Sequence, residues 1–162
     1  MRRSKYFGVH CVMTTIHFIE RAMTEAEFAR MNAGFDEHTI EHGNPVQTSE
    51  RYGFVALDSD IFVGCASGLA YKNGLEFNGW FYLSDLFVEK EYRGRRLGAT
   101  LLRRLEARIA MLGVRSLWTQ TAGYEAPEFY KKQGYEVVFE QENWYASGHS
   151  RVHLRKTLTP QF

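Results

Sequence analysis

The residues best suited to chemistry form a short run of arginines and glycines in the second half of the chain. Residues 93–99 read Arg-Gly-Arg-Arg-Leu-Gly-Ala, and they follow a strand-like apolar stretch and open a run with helical periodicity. A helix N-terminus offers unpaired backbone N–H groups, small residues let a phosphate approach them, and arginines add charged hydrogen bonds. The run therefore predicts a pyrophosphate site, although a glycine pair before a basic helix is also typical of an ordinary turn. Its spacing is neither that of a P-loop nor that of a dinucleotide fingerprint.

The elements that must position this run alternate between strands and helices. Thr24 and Glu27 have the spacing of a capping box, which predicts a helix that begins near Glu25. Two further helices are predicted, one over residues 99–112, with an apolar stripe that includes Leu101, Leu105 and Ile109, and one over residues 126–134. Strand patterns cover residues 14–22, 52–58, 61–72, 80–88, 114–121, 135–141 and 150–158, and Asn73–Gly74 predicts a turn. The order predicts one mixed α/β domain over residues 13–162, preceded by a loose tail over residues 1–12.

Composition limits the class of protein. The chain has 162 residues, of which 44% are hydrophobic and 24% charged, so we expect one globular domain rather than a disordered chain. A formal net charge of +1 argues against a dedicated nucleic-acid binder, and no apolar stretch approaches the length of a membrane span. Cys11 and Cys65 lack metal-type spacing, which indicates two reduced thiols in a cytoplasmic protein.

Two segments carry a resemblance to a known family. YLSDLFVEKEYRGRRLGATLLRRLE closely resembles the acyl-CoA-binding core of the GNAT superfamily of N-acyltransferases, and APEFYKKQGYEVV resembles its second signature. The resemblance extends in element order over residues 14–158. It implies a strongly twisted mixed sheet of about seven strands, flanked by helices, with a V-shaped splay between the fourth and fifth strands. It also implies acetyl-CoA as the co-substrate, lying in that splay.

The resemblance implies a cofactor-binding role for two stretches of backbone. Leu86, Phe87 and Val88 would pair with the pantetheine amides like an added strand. The pyrophosphate would bind the cradle run, with Thr100 as a hydroxyl donor; its residues are Arg93, Gly94, Arg95, Arg96, Leu97, Gly98 and Ala99. Position 96 departs from the family, which usually has glycine there, and position 123 has glycine where many relatives have an asparagine that contacts pantetheine.

Acetyl transfer to an amine requires a neutral amine, stabilisation of the oxyanion and a proton for the departing thiolate. Tyr130 occupies the tyrosine of the second signature, so the resemblance implies that it is the general acid; alternatively, it is a core aromatic residue. Asp85 or Glu76 would orient or deprotonate the amine, but Asp85 is equally compatible with a solvated edge charge. The polyamine acetyltransferase branch has an acidic pair where this chain has Ser84 and Asp85, which makes polyamine specificity doubtful.

The acceptor side carries no motif that names the acceptor. His38 and His42 lie four residues apart, which fits a metal ligand pair, but no third ligand is evident and we predict no metal site. Trp144, Tyr145 and His149 suit either a pocket for an aromatic or sugar-like amine or the packing of a hairpin or dimer.

The sequence thus predicts an N-acetyltransferase that moves the acetyl group of acetyl-CoA to a primary amine, of a small molecule, by direct attack. The alternatives are a protein or peptide N-acetyltransferase and an acyl-CoA-binding module without turnover. We expect neither nucleic acid nor membrane as a partner. Many GNAT proteins are homodimers, and this sequence is compatible with a homodimer.

Overall fold

A computed structural model describes residues 16–158 of the chain. The chain divides into two compact units, Met1–Glu37 and His38–Phe162. The tail that we predicted over residues 1–12 lies outside the described residues, as does Cys11.

The first unit contains most of helix α1, Glu25–Glu41. Its start is the predicted capping box, since the Thr24 N–H donates to the Glu27 carboxylate at 2.7 Å and the Glu27 N–H donates to Thr24 Oγ1 at 3.3 Å. The strand predicted over residues 14–22 is wrong for the described part, because residues 16–22 form no strand. Arg21 instead binds Glu27 through two hydrogen bonds of 2.6 and 2.7 Å, which ties this segment to the helix start.

The second unit is built on a six-stranded sheet. The strands are β1 (Gln47–Asp58), β2 (Ile61–Asn73), β3 (Glu76–Val88), β4 (Ser116–Ala122), β5 (Glu136–Gln141) and β6 (Arg151–Thr157). Their spatial order is β1-β2-β3-β4-β6-β5, and every neighbouring pair is antiparallel except β3 and β4. The prediction of a mixed α/β fold is confirmed, with six strands rather than about seven because residues 16–22 do not pair.

Two helices follow the central strands. A short 3₁₀ turn, Lys90–Tyr92, leads from β3 to α2 (Leu97–Ala110), and α3 (Pro127–Lys132) lies between β4 and β5. The predicted apolar stripe of α2 is confirmed, since Leu101, Leu105 and Ile109 are buried. Within the described residues, no helix combines the length and the apolar character that crossing a membrane would require.

The two faces of the sheet differ in what they carry. Phe81, Leu83 and Leu117 are buried in the core cluster that also contains the apolar residues of α2, and we call this the core face. Residues directly opposite each other on paired strands share a face. Tyr82 and Trp118 alternate with those core residues and therefore lie on the other side, which we call the open face.

The sheet splits between its two parallel strands. Pairing of β3 with β4 covers Trp80, Phe81 and Tyr82 on one side and Ser116, Leu117 and Trp118 on the other, and it ends there. A register shift between Ser67 and Gly68 places an extra residue, Ser84, in β3 at this level. A bulge of this kind bends its strand, so β3 turns away from β4 where the predicted splay begins.

Candidate active site

The splay encloses a cavity of about 630 Å³, which we call the cleft. One wall is the end of β3, with Leu86, Phe87 and Val88, and the opposite wall is the end of β4. β3 pairs with β2 along its other edge through Phe87 and Val88, whereas no strand pairs with its cleft edge beyond Tyr82 in the described residues. Backbone N–H and C=O groups on such an edge are available to an extended chain of amides.

A second cavity of about 390 Å³ lies at the start of α2, and we call it the cradle. The cradle and the cleft share Val88, Arg93, Gly98 and Phe129 in their linings, so the two cavities adjoin, and we call the pair the channel. The first N–H bonded within the helix is that of Thr100, to the Arg96 carbonyl at 3.0 Å. The preceding N–H groups of the helix start therefore point out of its end, where they can hold an anion.

Arg96 explains one departure from the family pattern. Its backbone has φ 61° and ψ 11°, in the left-handed region that glycine adopts without strain. Arg96 lines the cradle, so this residue faces the space that the helix N-terminus also faces.

The absence of a side chain at position 98 leaves space open where the two cavities meet. A Cβ added at Gly98 would lie 3.5 Å from the Val88 side chain and 3.8 Å from that of Phe129. Both neighbours line the channel, so any side chain here would occupy the junction of cleft and cradle.

The other predicted cradle residues lie in several environments. Gly94, Leu97 and Ala99 line the cradle, and Arg93 lines both cavities while its Nε donates to the Val88 carbonyl at 2.9 Å. Arg95 and Thr100 line neither cavity, and the Arg95 guanidinium lies 5.3 Å from the centre of the Tyr92 ring.

Tyr130 lies on the cleft wall and is 6% exposed. Burial raises the pKa of its phenol to about 12, while a hydrogen bond with the Thr119 side chain acts in the opposite direction. Thr119 Oγ1 itself donates to the Leu83 carbonyl at 2.9 Å, across the strands just where their pairing ends. The phenol therefore stays protonated at neutral pH and carries a proton into the cleft.

Asp85 lies on the open face, directly opposite Ser67 of β2. Its Oδ2 accepts hydrogen bonds from Ser84 Oγ at 2.6 Å, Ser67 Oγ at 2.7 Å and Arg51 Nη1 at 2.9 Å. These contacts, led by Ser67, hold the pKa of Asp85 below its ordinary value. Asp85 is not part of the cleft lining, but Ser84 is, so one hydrogen bond joins this carboxylate to the cleft.

Several of the residues that the sequence suggested for catalysis or binding do not line the cleft. Glu76 begins β3 and Asp85 lies near its end, nine residues along an extended strand, so about 30 Å separates their backbones. The His38 and His42 ring centres lie 4.2 Å apart, and among the described residues no group of three or more metal-ligating side chains occurs. Tyr124 makes edge contacts with the Tyr145 and His149 rings, so these aromatic residues pack together beside the cleft.

Sequence reasoning missed several cleft residues. Thr119, Gln120 and Glu125 line the cleft, yet none belongs to a motif that we had singled out. Alternation along β4 could have identified Thr119 and Gln120 as residues of opposite faces, but not the point at which the strand leaves its neighbour.

Comparisons with known proteins agree with this geometry. A family described as "Acetyltransferase (GNAT) domain" matches residues 49–137. An acetyltransferase from Bacillus cereus ATCC 14579 is similar in fold, with a TM-score of 0.72, 22% identity, and coverage of 88% of this chain and 98% of that one. An aminoglycoside 6′-N-acetyltransferase from Enterococcus faecium has a TM-score of 0.57 at 24% identity, with coverage of 84% and 89%.

A third similar structure is that of the NatC complex bound to Gag peptide and CoA, with a TM-score of 0.57, 17% identity, and coverage of 66% of this chain and 71% of that one. The comparison with curated proteins found no significant match. The family match spans more than half of the chain, and the protein therefore belongs to the GNAT acetyltransferases. It is an acyltransferase, and the resemblance seen in the sequence is confirmed.

Proposed function

We propose that this enzyme transfers the acetyl group of acetyl-CoA to a primary amine of a small molecule, by direct attack within a ternary complex. The observation that carries the proposal is the channel, in which the cleft and the cradle adjoin. It offers an open strand edge, then the N-terminus of a helix, with a protonated phenol on its wall. The acetyl thioester supplies the activated carbonyl, and the residues supply position and protons.

The channel fits the two polar parts of acetyl-CoA. The free edge of β3 at Leu86, Phe87 and Val88 suits the pantetheine amides, which alternate donors and acceptors as a strand does. The N–H groups at the start of α2 suit the pyrophosphate, with Arg93 and Arg96 on the same cavity wall. We assign no contact with coenzyme A to Arg95, because it lies on Tyr92 instead.

Tyr130 and Asp85 have complementary roles in this proposal. The Tyr130 hydroxyl gives its proton to the departing thiolate, which its raised pKa allows because the phenol is protonated before reaction. Asp85 stays ionised and orients the ammonium of the acceptor on the open face. Among the described residues, its three donors all converge on Oδ2, which leaves Oδ1 for the acceptor.

A small acceptor is favoured by the form of the open face at the splay. Tyr82 and Trp118 stack with ring centres 4.1 Å apart and close the bottom of the gap between β3 and β4. The similarity to an aminoglycoside 6′-N-acetyltransferase supports the same class of acceptor. A peptide amine is the second candidate, because the similar NatC complex is bound to a peptide.

The test is acetyl-CoA-dependent release of CoA thiol across amines, amino sugars, polyamines, amino acids and peptides, with acetyl-CoA binding measured by calorimetry on the same sample. We expect binding, and turnover on small primary amines. Turnover on peptides alone would replace the acceptor class. Binding without any turnover would favour a non-catalytic acyl-CoA-binding module, and absence of binding would contradict the proposal as a whole.

A further inference from the structure

The open face carries a row of side chains beside the splay that the proposal above does not use. Strand register places Gln120 of β4 opposite His153 of β6, and His153 opposite Phe139 of β5. Opposite residues share a face, so these three side chains stand side by side on the open face. Across the splay from them lies Asp85, next to the Ser84 bulge. The acceptor amine must pass between these two groups if it reaches the cleft from the open face.

His153 lies one strand away from the cleft. Its neighbour Gln120 lines the cleft and donates from Nε2 to the Tyr82 hydroxyl at 3.2 Å, so the Gln120 amide is held toward the bottom of the gap. Adjacent strands lie about 4.8 Å apart, so about 10 Å or more separates the backbones of His153 on β6 and Asp85 on β3. A proton can therefore pass from a group beside Asp85 to the imidazole through water.

The ring of His153 is fixed in orientation and in tautomer. Its Nε2 lies 2.9 Å from Gln141 Oε1. Because an amide oxygen only accepts, Nε2 carries the proton, and Nδ1 is left with its lone pair. Phe139 stacks on the ring with centres 4.1 Å apart and planes 10° apart, which stops the ring from turning.

We propose that His153 is the general base of the acetyl transfer, accepting at Nδ1, through water, a proton from the ammonium that Asp85 orients. This inference rests on the proposed function. An N–H bond of the acceptor breaks as Nδ1–H forms, and the neutral amine attacks the thioester carbonyl. The C–N bond then forms, a second N–H bond of that nitrogen breaks and its proton passes to water, and the C–S bond breaks as Tyr130 protonates the sulfur. His153 later releases its proton to water, and Tyr130 is reprotonated from water, so one proton is released in each cycle.

The charges around His153 favour the neutral imidazole. Partial burial, and then Arg151 on the same strand, lower the pKa of His153 below its ordinary value. The other charged residues that the register places on this face are Arg155 of β6, Glu136 opposite it on β5, and the Asp85–Arg51 pair across the splay. Asp85 is the weaker base, because three donors stabilise its carboxylate, whereas His153 keeps an unprotonated nitrogen at neutral pH.

The first test is His153→Gln, which removes the base. We expect kcat/KM at neutral pH to fall about 100-fold, in the usual range for a general base, with acetyl-CoA affinity by calorimetry unchanged. His42→Gln is the matched control, because it removes an exposed imidazole from a helix end that takes no part in the cleft. It should leave kcat/KM unchanged.

The second test is Gln141→Glu, which a merely structural role would not predict. A carboxylate that accepts from Nε2 stabilises the imidazolium and raises the pKa of His153. The acidic limb of the pH profile of kcat/KM should therefore move to higher pH by about one unit, with the wild-type rate recovered at alkaline pH.

The outcomes separate the base from the function on which it rests. If His153→Gln leaves turnover at the wild-type level, or if Gln141→Glu does not move the acidic limb, His153 is not the general base, and the proposed function is unaffected. No acetyl transfer by the wild type to any amine overturns the proposed function and the base with it. An NMR titration of the free protein adds a readout without substrate: a proton found on Nδ1 of His153 rather than on Nε2 also overturns the base.

Discussion

The cradle and the open face, which the proposed function combines in one reaction centre, are built in different ways. The cradle uses backbone N–H groups from consecutive residues at the start of α2, so its chemistry depends on glycine, on a left-handed residue and on where a helix begins. The open face uses side chains from all six strands, which only the register of the sheet brings together. A local site is visible as a sequence motif, whereas a site assembled by register is not.

The titratable groups of the cleft and of the open face lie in different environments. Tyr130 lies deep against the core, where burial raises the pKa of its phenol to about 12. Asp85 lies at the surface, where hydrogen bonds lower the pKa of its carboxyl group. Environments that separate the pKa values of two groups in this way favour a proton donor in the cleft and an ionised carboxylate on the open face.

The largest expected effect is that of Tyr130→Phe, which removes the proton from the cleft side. We expect kcat to fall about a thousandfold, or about 4 kcal/mol in activation free energy, with acetyl-CoA affinity changed less than about threefold. Steady-state kinetics and calorimetry measure both quantities.

Tyr135→Phe is the matched control for that variant. Tyr135 is also buried and its ring lies 5.4 Å from that of Tyr130, but its hydroxyl donates to Glu106 rather than facing the cleft. It should cost about 1 kcal/mol of stability and leave kcat unchanged. Equal kinetic losses in both variants would assign Tyr130 to the core instead of to the reaction.

Gly98→Asp tests the cradle alone. A carboxylate at the junction of cleft and cradle repels a phosphate, so we expect acetyl-CoA to bind about 30-fold more weakly, or by about 2 kcal/mol. A negative charge in the first turn of a helix is not destabilising, so the melting temperature should not fall. Asn73→Asp adds the same charge at the exposed end of β2, and an equal loss of affinity there would contradict a local effect.

Asp85→Asn tests the open face alone. Without its charge the face holds an ammonium less well, so we expect KM for a cationic acceptor to rise about tenfold. The binding of acetyl-CoA should remain as in the wild type, because the Asp85 carboxylate lies outside the channel lining. A matching loss of acetyl-CoA affinity would show that the two sides are not separable.

The smallest effect is expected for Arg96→Gly. Glycine relieves the left-handed strain at this position but is more flexible in the unfolded chain, so stability should stay within about 1 kcal/mol of the wild type. If the guanidinium contributes to the cradle, acetyl-CoA affinity falls about threefold, typical of an exposed charge contact. Unchanged affinity in a direct titration would show that the Arg96 side chain does not contribute and that the backbone N–H groups of the cradle hold the pyrophosphate.

The sequence predicted most of the fold because its signals were local. Capping at Thr24, the apolar stripe of α2 and the turn at Asn73 and Gly74 each lie within a few residues of the structure that they specify. The strand prediction failed at residues 16–22 because their β-branched and aromatic composition suits a strand, but no strand in the described part of the chain pairs with them.

The candidate site shows the same difference between residues in local motifs and residues that only strand pairing brings together. The cradle and Tyr130 belonged to contiguous motifs, so they could be identified by number. Gln120 and His153 lie more than thirty residues apart in sequence and meet only because β4 and β6 pair with that register. No local pattern in the sequence encodes that pairing.

The most direct test of the central claim is hydrogen exchange of the protein with and without acetyl-CoA. If the channel holds acetyl-CoA as proposed, exchange should slow at residues 86–88, on the free edge of β3, and at Leu97, Gly98 and Ala99, at the start of α2. The open face at Asp85 and His153 should change little until an acceptor is added. Slowed exchange on the open face alone, or no slowing at either backbone stretch, would contradict the account.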